Sequence, residues 1–251
     1  MKLNFIAFSD IHGDLPVING HYSAAIIAGD ILPLSIQRDF VKSIAWFSGE
    51  FVNWCNSLDC EKVFLVAGNH DFMFENIIKT SVKETDCSIM YAEENGNIIV
   101  DTKLLLPEKI VYMHDSSYTF HNVKIYGTPW CPELKNWAFY GSHDDLERRF
   151  AKIPKDLDIL VTHSPGYHAN HVGMAFELPN RPDFGSKELT NAVKERNIRY
   201  WVCGHVHSGN HEFGKVDGCD TLVANVSYVN EEYRPAFKPL VFEVENGETI
   251  C

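Results

Sequence analysis

The sequence predicts an α/β protein with additional, antiparallel sheet, and three observations support this prediction. Short and nearly continuous apolar runs recur along the chain, and such runs are typical of strands buried on both faces of a sheet. Amphipathic stretches with helical spacing lie between several of these runs. Other strand-like stretches joined by turns occupy the middle and the end of the chain. The apolar runs are residues 3–8, 24–28, 63–67, 159–161 and 200–203, and the other strand-like stretches are residues 97–111, 123–126, 222–229 and 240–244.

Three stretches have the pattern of amphipathic helices, and two of them begin at a serine suited to capping. Ser142 followed by Asp145 has the pattern of a capping box. Ser186 is expected to cap a helix that ends near Asn197. The apolar positions are Phe40, Ile44, Phe47, Phe51 and Trp54 in the first and longest helix, Leu146, Phe150 and Ile153 in the second, and Leu189 and Val193 in the third.

The composition is that of a soluble globular protein with an acidic surface. The chain has 251 residues, of which 45% are hydrophobic and 22% are charged, and it contains no internal repeat or linker-like tract. We therefore expect one domain over residues 1–251. The formal net charge of −12 disfavours nucleic acid and anionic membranes as partners. The same charge would repel an anionic substrate unless bound cations reversed the local potential.

Cysteine usage and the apolar segments predict a cytoplasmic protein. The seven cysteines form no Cys-x-x-Cys pair, which favours reduced thiols over a disulfide framework or a cysteine-based zinc site. The apolar run at residues 3–8 meets Asp10 too early for a signal peptide, and no stretch approaches the length of a transmembrane helix. The cysteines are Cys55, Cys60, Cys87, Cys131, Cys203, Cys219 and Cys251.

Polar motifs follow each of the five apolar runs. In open α/β sheets, the loops at the carboxyl ends of the strands converge on one crevice. Alternate residues of an extended segment point the same way, so both polar residues of an Asp-x-His or His-x-His triplet can face one site. The motifs are Ser9-Asp10-Ile11-His12, Gly29-Asp30, Gly68-Asn69-His70-Asp71, Thr162-His163-Ser164-Pro165 and Gly204-His205-Val206-His207.

Seven side chains from these motifs form a set of metal donors. Two carboxylates, one amide oxygen and four imidazoles suit borderline divalent transition ions better than calcium or magnesium. Each motif alone is weak, since a lone histidine is more often structural and an isolated His-x-His can lie on a solvated surface. The ordered set, with every member at the end of an apolar run, favours a metal site. The candidate ligands are Asp10, His12, Asp30, Asn69, His163, His205 and His207.

The five motifs, in this order, resemble those of the calcineurin-like metallophosphoesterase superfamily over nearly the whole chain. The resemblance implies a sandwich of two mixed β-sheets flanked by helices. A narrower similarity, to the branch of metallophosphoesterase-domain-containing proteins, is carried by residues 126–130, 136–139, 225–227 and 233–235. Members of that branch are associated with phosphodiesterase activity.

The resemblance also implies a role for each motif residue. His70 would donate a proton to the leaving oxygen, and Asp71 would orient its imidazole. A hydroxide between two divalent transition ions would attack phosphorus, because bound ions lower the pKa of water to about 7. Mn²⁺ is the expected ion at both positions, and Fe, Zn, Ni or Co are alternatives. One ion would be held by Asp10, His12, Asp30 and His207, and the second by Asp30, Asn69, His163 and His205, with Asp30 as the bridge.

The chain departs from the pattern of the phosphoprotein phosphatases in this superfamily. Those enzymes carry Gly-Asp-x-x-Asp-Arg, whose arginine grips the phosphate, whereas residues 31–35 here include no arginine. Arg38 lies further along the chain and is expected to start the first helix. An aromatic loop at residues 130–140 either stacks on a nucleobase or packs between the sheets, and the sequence leaves both open. Its aromatic residues are Trp130, Trp137, Phe139 and Tyr140.

We therefore expect a metal-dependent phosphodiesterase that acts on a small soluble phosphate ester or nucleotide. A phosphomonoesterase or a nucleotide pyrophosphohydrolase could use the same ions. A metal-binding scaffold without turnover is a third alternative, but such a protein would be expected to have lost a ligand, and all seven candidate ligands are present. The sequence leaves the physiological substrate, the metal identity and the oligomeric state open.

Overall fold

The five apolar runs lie in the central strands of two β-sheets. The structure, a computed structural model, describes residues 2–80, 90–94, 97–101, 106–132 and 134–245. Two mixed sheets pack against each other and helices cover their other faces, which confirms the predicted sandwich. Among the described residues, no helix is long and apolar enough to cross a membrane.

The elements are numbered in chain order. The strands are β1 (Lys2–Phe8), β2 (Tyr22–Ala28), β3 (Cys60–Val66), β4 (Met90–Glu94), β5 (Asn97–Asp101), β6 (Ile110–Tyr112), β7 (Ser116–Phe120), β8 (Val123–Thr128), β9 (Asp156–Thr162), β10 (Asn197–Cys203), β11 (Gly214–Lys215), β12 (Leu222–Asn225) and β13 (Leu240–Glu245). The helices are α1 (Phe40–Trp46), α2 (Val52–Ser57), α3 (Phe72–Thr80), α4 (His143–Phe150) and α5 (Lys187–Lys194).

The first sheet has the strand order β13-β1-β2-β3-β6. Strands β1, β2, β3 and β6 are parallel, and β13 runs antiparallel to β1 at the edge. The order of the second sheet is β11-β12-β10-β9-β8-β7, with parallel strands at its centre and antiparallel strands at both edges. Strands β4 and β5 form a separate hairpin, and residues 102–105 of the predicted stretch 97–111 lie outside the described residues.

Successive side chains of each strand point to opposite faces of the sheet. Each sheet therefore contributes side chains to two apolar layers. Between the sheets, Phe5 and Phe64 are fully buried together with Ile125 and Val202 of the opposite sheet. Phe5 also stacks on Phe242 at a ring separation of 5.6 Å. The other faces of the strands share a second apolar cluster with the helices. Strands of this kind, buried on both faces, explain the continuous apolar runs in the sequence.

The first predicted helix is present, but its middle is π-helical. A π-helical segment, Phe47–Phe51, joins α1 directly to α2. Hydrogen bonds in a π-helix reach one residue further than in an α-helix. Phe47 and Phe51 stay buried through this segment and stack on each other at 5.2 Å.

The two serine caps are confirmed, whereas the predicted end of the third helix is wrong. Ser142 and Asp145 form the reciprocal capping box at α4, and the Ser186 hydroxyl accepts the backbone N–H of Leu189 at α5. Helix α5 ends at Lys194, and Asn197 is the first residue of β10. The N–H of Asn197 donates to the carbonyl of Lys155 at 2.7 Å, so strand pairing extends the sheet to this residue.

Candidate metal centre

The five polar motifs meet where strands of the two sheets end. Asp10 and His12 follow β1, Asp30 follows β2, and Asn69 and His70 follow β3. The other sheet contributes His163 after β9 and the pair His205 and His207 after β10. All seven candidate ligands therefore come together in one place, as the convergence of strand ends predicts.

The backbone at four of these ligands adopts the left-handed region. The φ angles are 53° at Asp10, 44° at His12, 55° at Asp30 and 74° at His205. This region costs a non-glycine residue about 1–3 kcal/mol, and such residues cluster at functional sites. Glycine gives the room for this geometry, since a Cβ on Gly29 would lie 2.6 Å from Nδ1 of His163.

Asp10, His12 and His207 form a first group of donors. One donor atom of each residue lies within 4.8 Å of the other two. Nδ1 of His207 donates to the carbonyl of Asn230 at 2.9 Å, which leaves Nε2 facing Asp10 at 3.6 Å. The Asp10 carboxylate also accepts the hydroxyls of Ser9 and Ser227. Partners of this kind hold ligands in a fixed orientation.

Asn69, His163 and His205 form a second group of donors. Oδ1 of Asn69 lies 2.7 Å from Nδ1 of His205 and 3.0 Å from Nε2 of His163. The other ring nitrogen of His163 donates to the carbonyl of Ala28 at 2.8 Å. Its Nε2 atom is therefore the nitrogen that faces the site.

Asp30 lies between the two groups. Its Oδ2 atom is 3.3 Å from Nε2 of His163 and 4.0 Å from Nε2 of His12. Its Oδ1 atom accepts the backbone N–H of His70 at 2.8 Å. This central placement is what a bridging ligand needs, although its ligation of two ions stays a prediction.

The imidazole of His12 is buried without hydrogen-bond partners among the described residues, as expected of a metal ligand. Among the described residues, neither ring nitrogen of His12 has a hydrogen-bond partner, although both nitrogens are buried. An unpaired buried polar group is costly and needs an explanation, and a bound divalent ion would supply one. Burial lowers the pKa of His12 and of His205 to about 4, so both imidazoles are neutral and able to donate a lone pair at pH 7.

The two carboxylates are held in their charged form. Burial acts to raise the pKa of Asp10 and of Asp30, but His207 and His163 outweigh it and hold both pKa values below the usual range. Burial acts in the opposite sense on His163, yet the charges of Asp30 and Asp10 raise its pKa to about 9. The protein thus keeps two buried carboxylates charged beside the protonated His163 imidazole, and buried charges of this kind need partners of opposite sign.

Asp71 does not orient His70, and this part of the prediction is wrong. Its carboxylate accepts four backbone N–H groups at 2.8–3.1 Å. Asp71 therefore joins the loop after β2 to the loop after β3. The donors are Gly68, Asp30, Ile31 and Leu32.

Gln37 is the residue that orients His70. Its Oε1 atom lies 2.5 Å from Nδ1 of His70, while Nε2 of His70 lies 3.8 Å from the Asp30 carboxylate. The Trp137 ring packs on the same imidazole at a centroid distance of 4.3 Å. Neither contact is visible in the sequence, because Gln37 precedes His70 by 33 residues and has no motif of its own.

Two further residues at the site, Cys131 and Tyr233, lie outside the five metal-ligand motifs. Cys131 is fully buried, and its Sγ atom belongs to a group with His163 and His205 whose atoms lie within 4.8 Å. Cys203, which is closer to the ligands in sequence, belongs to none of the metal-competent groups in the described part of the chain. The centre of the Tyr233 ring lies 4.9 Å from that of the His12 ring and 5.1 Å from that of the His207 ring. The backbone of Tyr233 is in the left-handed region.

Two of the four aromatic residues in the aromatic loop pack inside the protein. Trp130 and Phe139 are buried, and Nε1 of Trp130 donates to Asp115 at 3.1 Å. Trp137 is the aromatic residue of this loop that packs on His70. Arg38 lies before α1, and its guanidinium is 5.1 Å from the centre of the Trp137 ring.

Comparison with known proteins identifies relatives of this chain. A sequence profile described as calcineurin-like phosphoesterase matches residues 3–209. Metallophosphoesterase domain-containing protein 1 of Homo sapiens is 28% identical over 250 residues, covering 96% of this chain and 70% of that protein. The Mus musculus protein of the same name matches with the same identity and coverage.

Solved structures share the fold at low sequence identity. One aligns with a TM-score of 0.55 at 14% identity and covers 92% of both chains. Protein TT1561 of Thermus thermophilus aligns with a TM-score of 0.50 at 13% identity, over 90% of this chain and 89% of that chain. These similarities support the fold alone.

We expect the metal-free protein to take up two divalent ions per chain. Seven candidate ligands exceed the four that one tetrahedral ion uses, and ions in two-metal hydrolases lie about 4 Å apart. Elemental analysis after loading and gel filtration should give two ions for the native chain and one for Asn69→Ala or His207→Ala. The surface variant His21→Ala should keep both ions. A single ion in the fully loaded native protein would contradict the prediction.

Replacement of Asp71 should destabilise the protein even without metal. Asp71→Ala would leave four buried N–H groups unpaired, and each unpaired group costs about 1–3 kcal/mol. We expect urea unfolding to show that the free energy of unfolding of the metal-free variant is several kcal/mol lower than that of the metal-free native chain. Asp220→Ala, which removes an exposed carboxylate paired with Lys215, is the control and should change little. Equal effects in the two variants would show that Asp71 does not hold the loops together.

Proposed function

This chain belongs to the calcineurin-like phosphoesterase family, and from that premise we propose that it is a phosphodiesterase with two divalent transition ions at its active centre. Its substrate would be a small soluble phosphate diester or nucleotide. The observation that carries the proposal is the placement of the Asp30 carboxylate between the two donor groups. The net charge of −12 makes nucleic acid and anionic membranes unfavourable partners.

Each donor group fits one ion. Asp10, His12 and His207 would hold the first ion, Asn69, His163 and His205 the second, and Asp30 would contact both. When bound, divalent ions stabilise charge on phosphoryl oxygens and make water a nucleophile at neutral pH. No protein nucleophile is then required.

His70 is suited to protonate the leaving oxygen. Gln37 engages Nδ1, so Nε2 is the nitrogen that faces Asp30 and the two donor groups. Burial lowers the pKa of His70, although the charge of Asp30 opposes this shift, so its imidazolium would be a stronger acid but a smaller fraction of the protein at neutral pH. A proton held on Nε2 would pass to the leaving oxygen as its bond to phosphorus breaks. Gln37 keeps the ring in this orientation without adding a charge.

The surroundings of the centre favour a diester over a monoester. Residues 31–35 contain no arginine to grip a dianionic phosphate. Trp137 is half-buried and Tyr233 is exposed, and their rings lie against His70 and His12 respectively. Two aromatic surfaces beside the phosphate position offer apolar contact for a second ester group.

One observation favours a phosphomonoesterase as a second candidate. The guanidinium of Arg38 lies over the ring of Trp137, which itself packs on His70. Arg38 now donates to the carbonyl of Asn136 at 2.9 Å. If Arg38 left that carbonyl and bound the substrate phosphate instead, its guanidinium would pair with the extra negative charge of a monoester. The two candidates differ in what Arg38 contributes, which makes them separable by experiment.

We expect higher kcat/KM for bis(p-nitrophenyl) phosphate than for p-nitrophenyl phosphate with the same metal. A missing charge-assisted hydrogen bond costs about 1.5–3 kcal/mol, so the preference should reach at least roughly tenfold. Arg38→Ala should leave this ratio unchanged. A preference for the monoester that is lost in Arg38→Ala would establish the second candidate instead.

Loss of His70 should slow reactions with poor leaving groups more than reactions with good ones. General-acid catalysis contributes about 10²–10⁴-fold, and p-nitrophenolate needs little protonation. We expect His70→Ala to keep its metal content while activity toward an alkyl ester falls by that range. Gln37→Leu should show the same dependence on leaving group with a smaller loss, and His21→Ala should show none. Equal losses for both leaving groups would exclude proton donation by His70.

A further inference from the structure

A buried thiol lies beside the second donor group. The Sγ atom of Cys131 and one ring nitrogen each of His163 and His205 lie within 4.8 Å of one another. Cys131 and His163 are both fully buried. The motifs that predict the metal ligands do not include this residue, which comes from the aromatic loop after β8.

The backbone holds Cys131 in a fixed relation to Asn69. The N–H of Cys131 donates to the carbonyl of Phe139 at 2.8 Å, and its carbonyl accepts the N–H of Gly141 at 3.1 Å. The N–H of Ala138 donates to the carbonyl of Asn69 at 3.1 Å. The loop that carries the thiol is therefore tied directly to a residue of the second donor group.

Cys131 and Cys203 are both fully buried, and they differ in whether imidazoles lie nearby. Its Sγ atom has one weak contact among the described residues, with the carbonyl of Pro129 at 3.7 Å. Cys203 is also fully buried, but its Sγ atom lies 3.5 Å from the carbonyl of Ala224, in the neighbouring strand. Of these two thiols, only that of Cys131 lies near two imidazoles, those of His163 and His205, at a spacing suited to a metal ion.

The separations match those around a single ion. Zinc–sulfur bonds are about 2.3 Å and zinc–nitrogen bonds about 2.0–2.1 Å. Sulfur and nitrogen ligands of one ion are then about 3–4.4 Å apart, from adjacent to opposite positions. The three atoms lie within 4.8 Å of one another, so no separation exceeds the range for one ion by more than about 0.4 Å.

We propose that Cys131 is a further ligand of the ion held by Asp30, Asn69, His163 and His205. The thiol would lose its proton to solvent as sulfur bonds to the ion, with no change in oxidation state. Thiolate ligands select Zn²⁺ and Co²⁺ over Mn²⁺, so this position would prefer thiophilic ions, whereas the position of Asp10, His12 and His207 would not. The inference rests on the metal centre of the proposed function and makes the two positions chemically unequal.

Cobalt binding tests the proposal without measuring activity. The metal-free protein is titrated with Co²⁺, and visible d–d bands report binding while near-ultraviolet absorption reports thiolate-to-cobalt charge transfer. We expect both signals in the native chain. Cys131→Ser should bind Co²⁺ without the charge-transfer band, and its affinity for Zn²⁺ should fall at least about tenfold, as even loss of a residue that only supports a ligand does. Its affinity for Mn²⁺ should change less.

Cys203→Ser is the matched control and should keep the charge-transfer band. If Cys131→Ser fails to fold, Cys131→Ala replaces it as the test of the band, and a native spectrum without the band overturns the proposal whichever variant folds. Cobalt binding with d–d bands but no charge transfer would overturn the role of Cys131 and leave the metal centre intact. No binding of cobalt at all would overturn the proposed function as well. A band that survives in Cys131→Ser and disappears in Cys203→Ser would overturn the proposal by assigning the thiolate to Cys203.

Discussion

The arrangement of the candidate metal centre depends on the hydrogen bonds that the buried carboxylate of Asp71 accepts. This carboxylate accepts N–H groups from the loop after β2 and from the loop after β3. These two loops carry Asp30 and Asn69, so one buried side chain sets the distance between the bridging candidate and the second donor group. Removal of either partner would leave buried polar groups unpaired. The interaction therefore favours a single arrangement of the two loops.

A second set of contacts joins the two sheets at the same place. The N–H of Ser9 donates to the carbonyl of Val226 at 2.8 Å, and the N–H of Val226 donates to the carbonyl of Cys203 at 2.7 Å. The Ser227 hydroxyl donates to the Asp10 carboxylate at 2.8 Å. Residues after β12 thus link the end of β10 to the end of β1. This link helps to hold histidines of one sheet beside carboxylates of the other.

The centre combines backbone strain with buried charge, and both are costly for folding. Left-handed φ angles at the ligands raise the energy of the backbone. Two buried carboxylates stay charged at the centre of a protein whose net charge is already −12. Bound cations would offset this charge and reverse the local potential toward a phosphate ester. The same groups that make a metal-free arrangement unfavourable would therefore favour the binding of divalent ions.

The sequence alone determined the sheets and the candidate ligands. Apolar runs predict buried strands, and a motif such as Gly204-His205-Val206-His207 predicts which residues follow a strand end. Both signals are local in sequence, because strand periodicity and strand-end chemistry depend on neighbouring residues. The capping box at Ser142 is predictable for the same reason.

The supporting contacts were decided only by the tertiary structure. Asp71 is adjacent to His70 in sequence, yet its carboxylate turns to the backbone of the Asp30 loop and Gln37 takes the place beside the imidazole. Cys131 reaches the site although Cys203 is closer to the ligands in sequence. In each case the partners are more than 30 residues apart, and their contact depends on how two loops pack after the sheets have formed. A local pattern carries no information about such a contact, so the sequence determined which residues are available as ligands and the packing decided which residues support them.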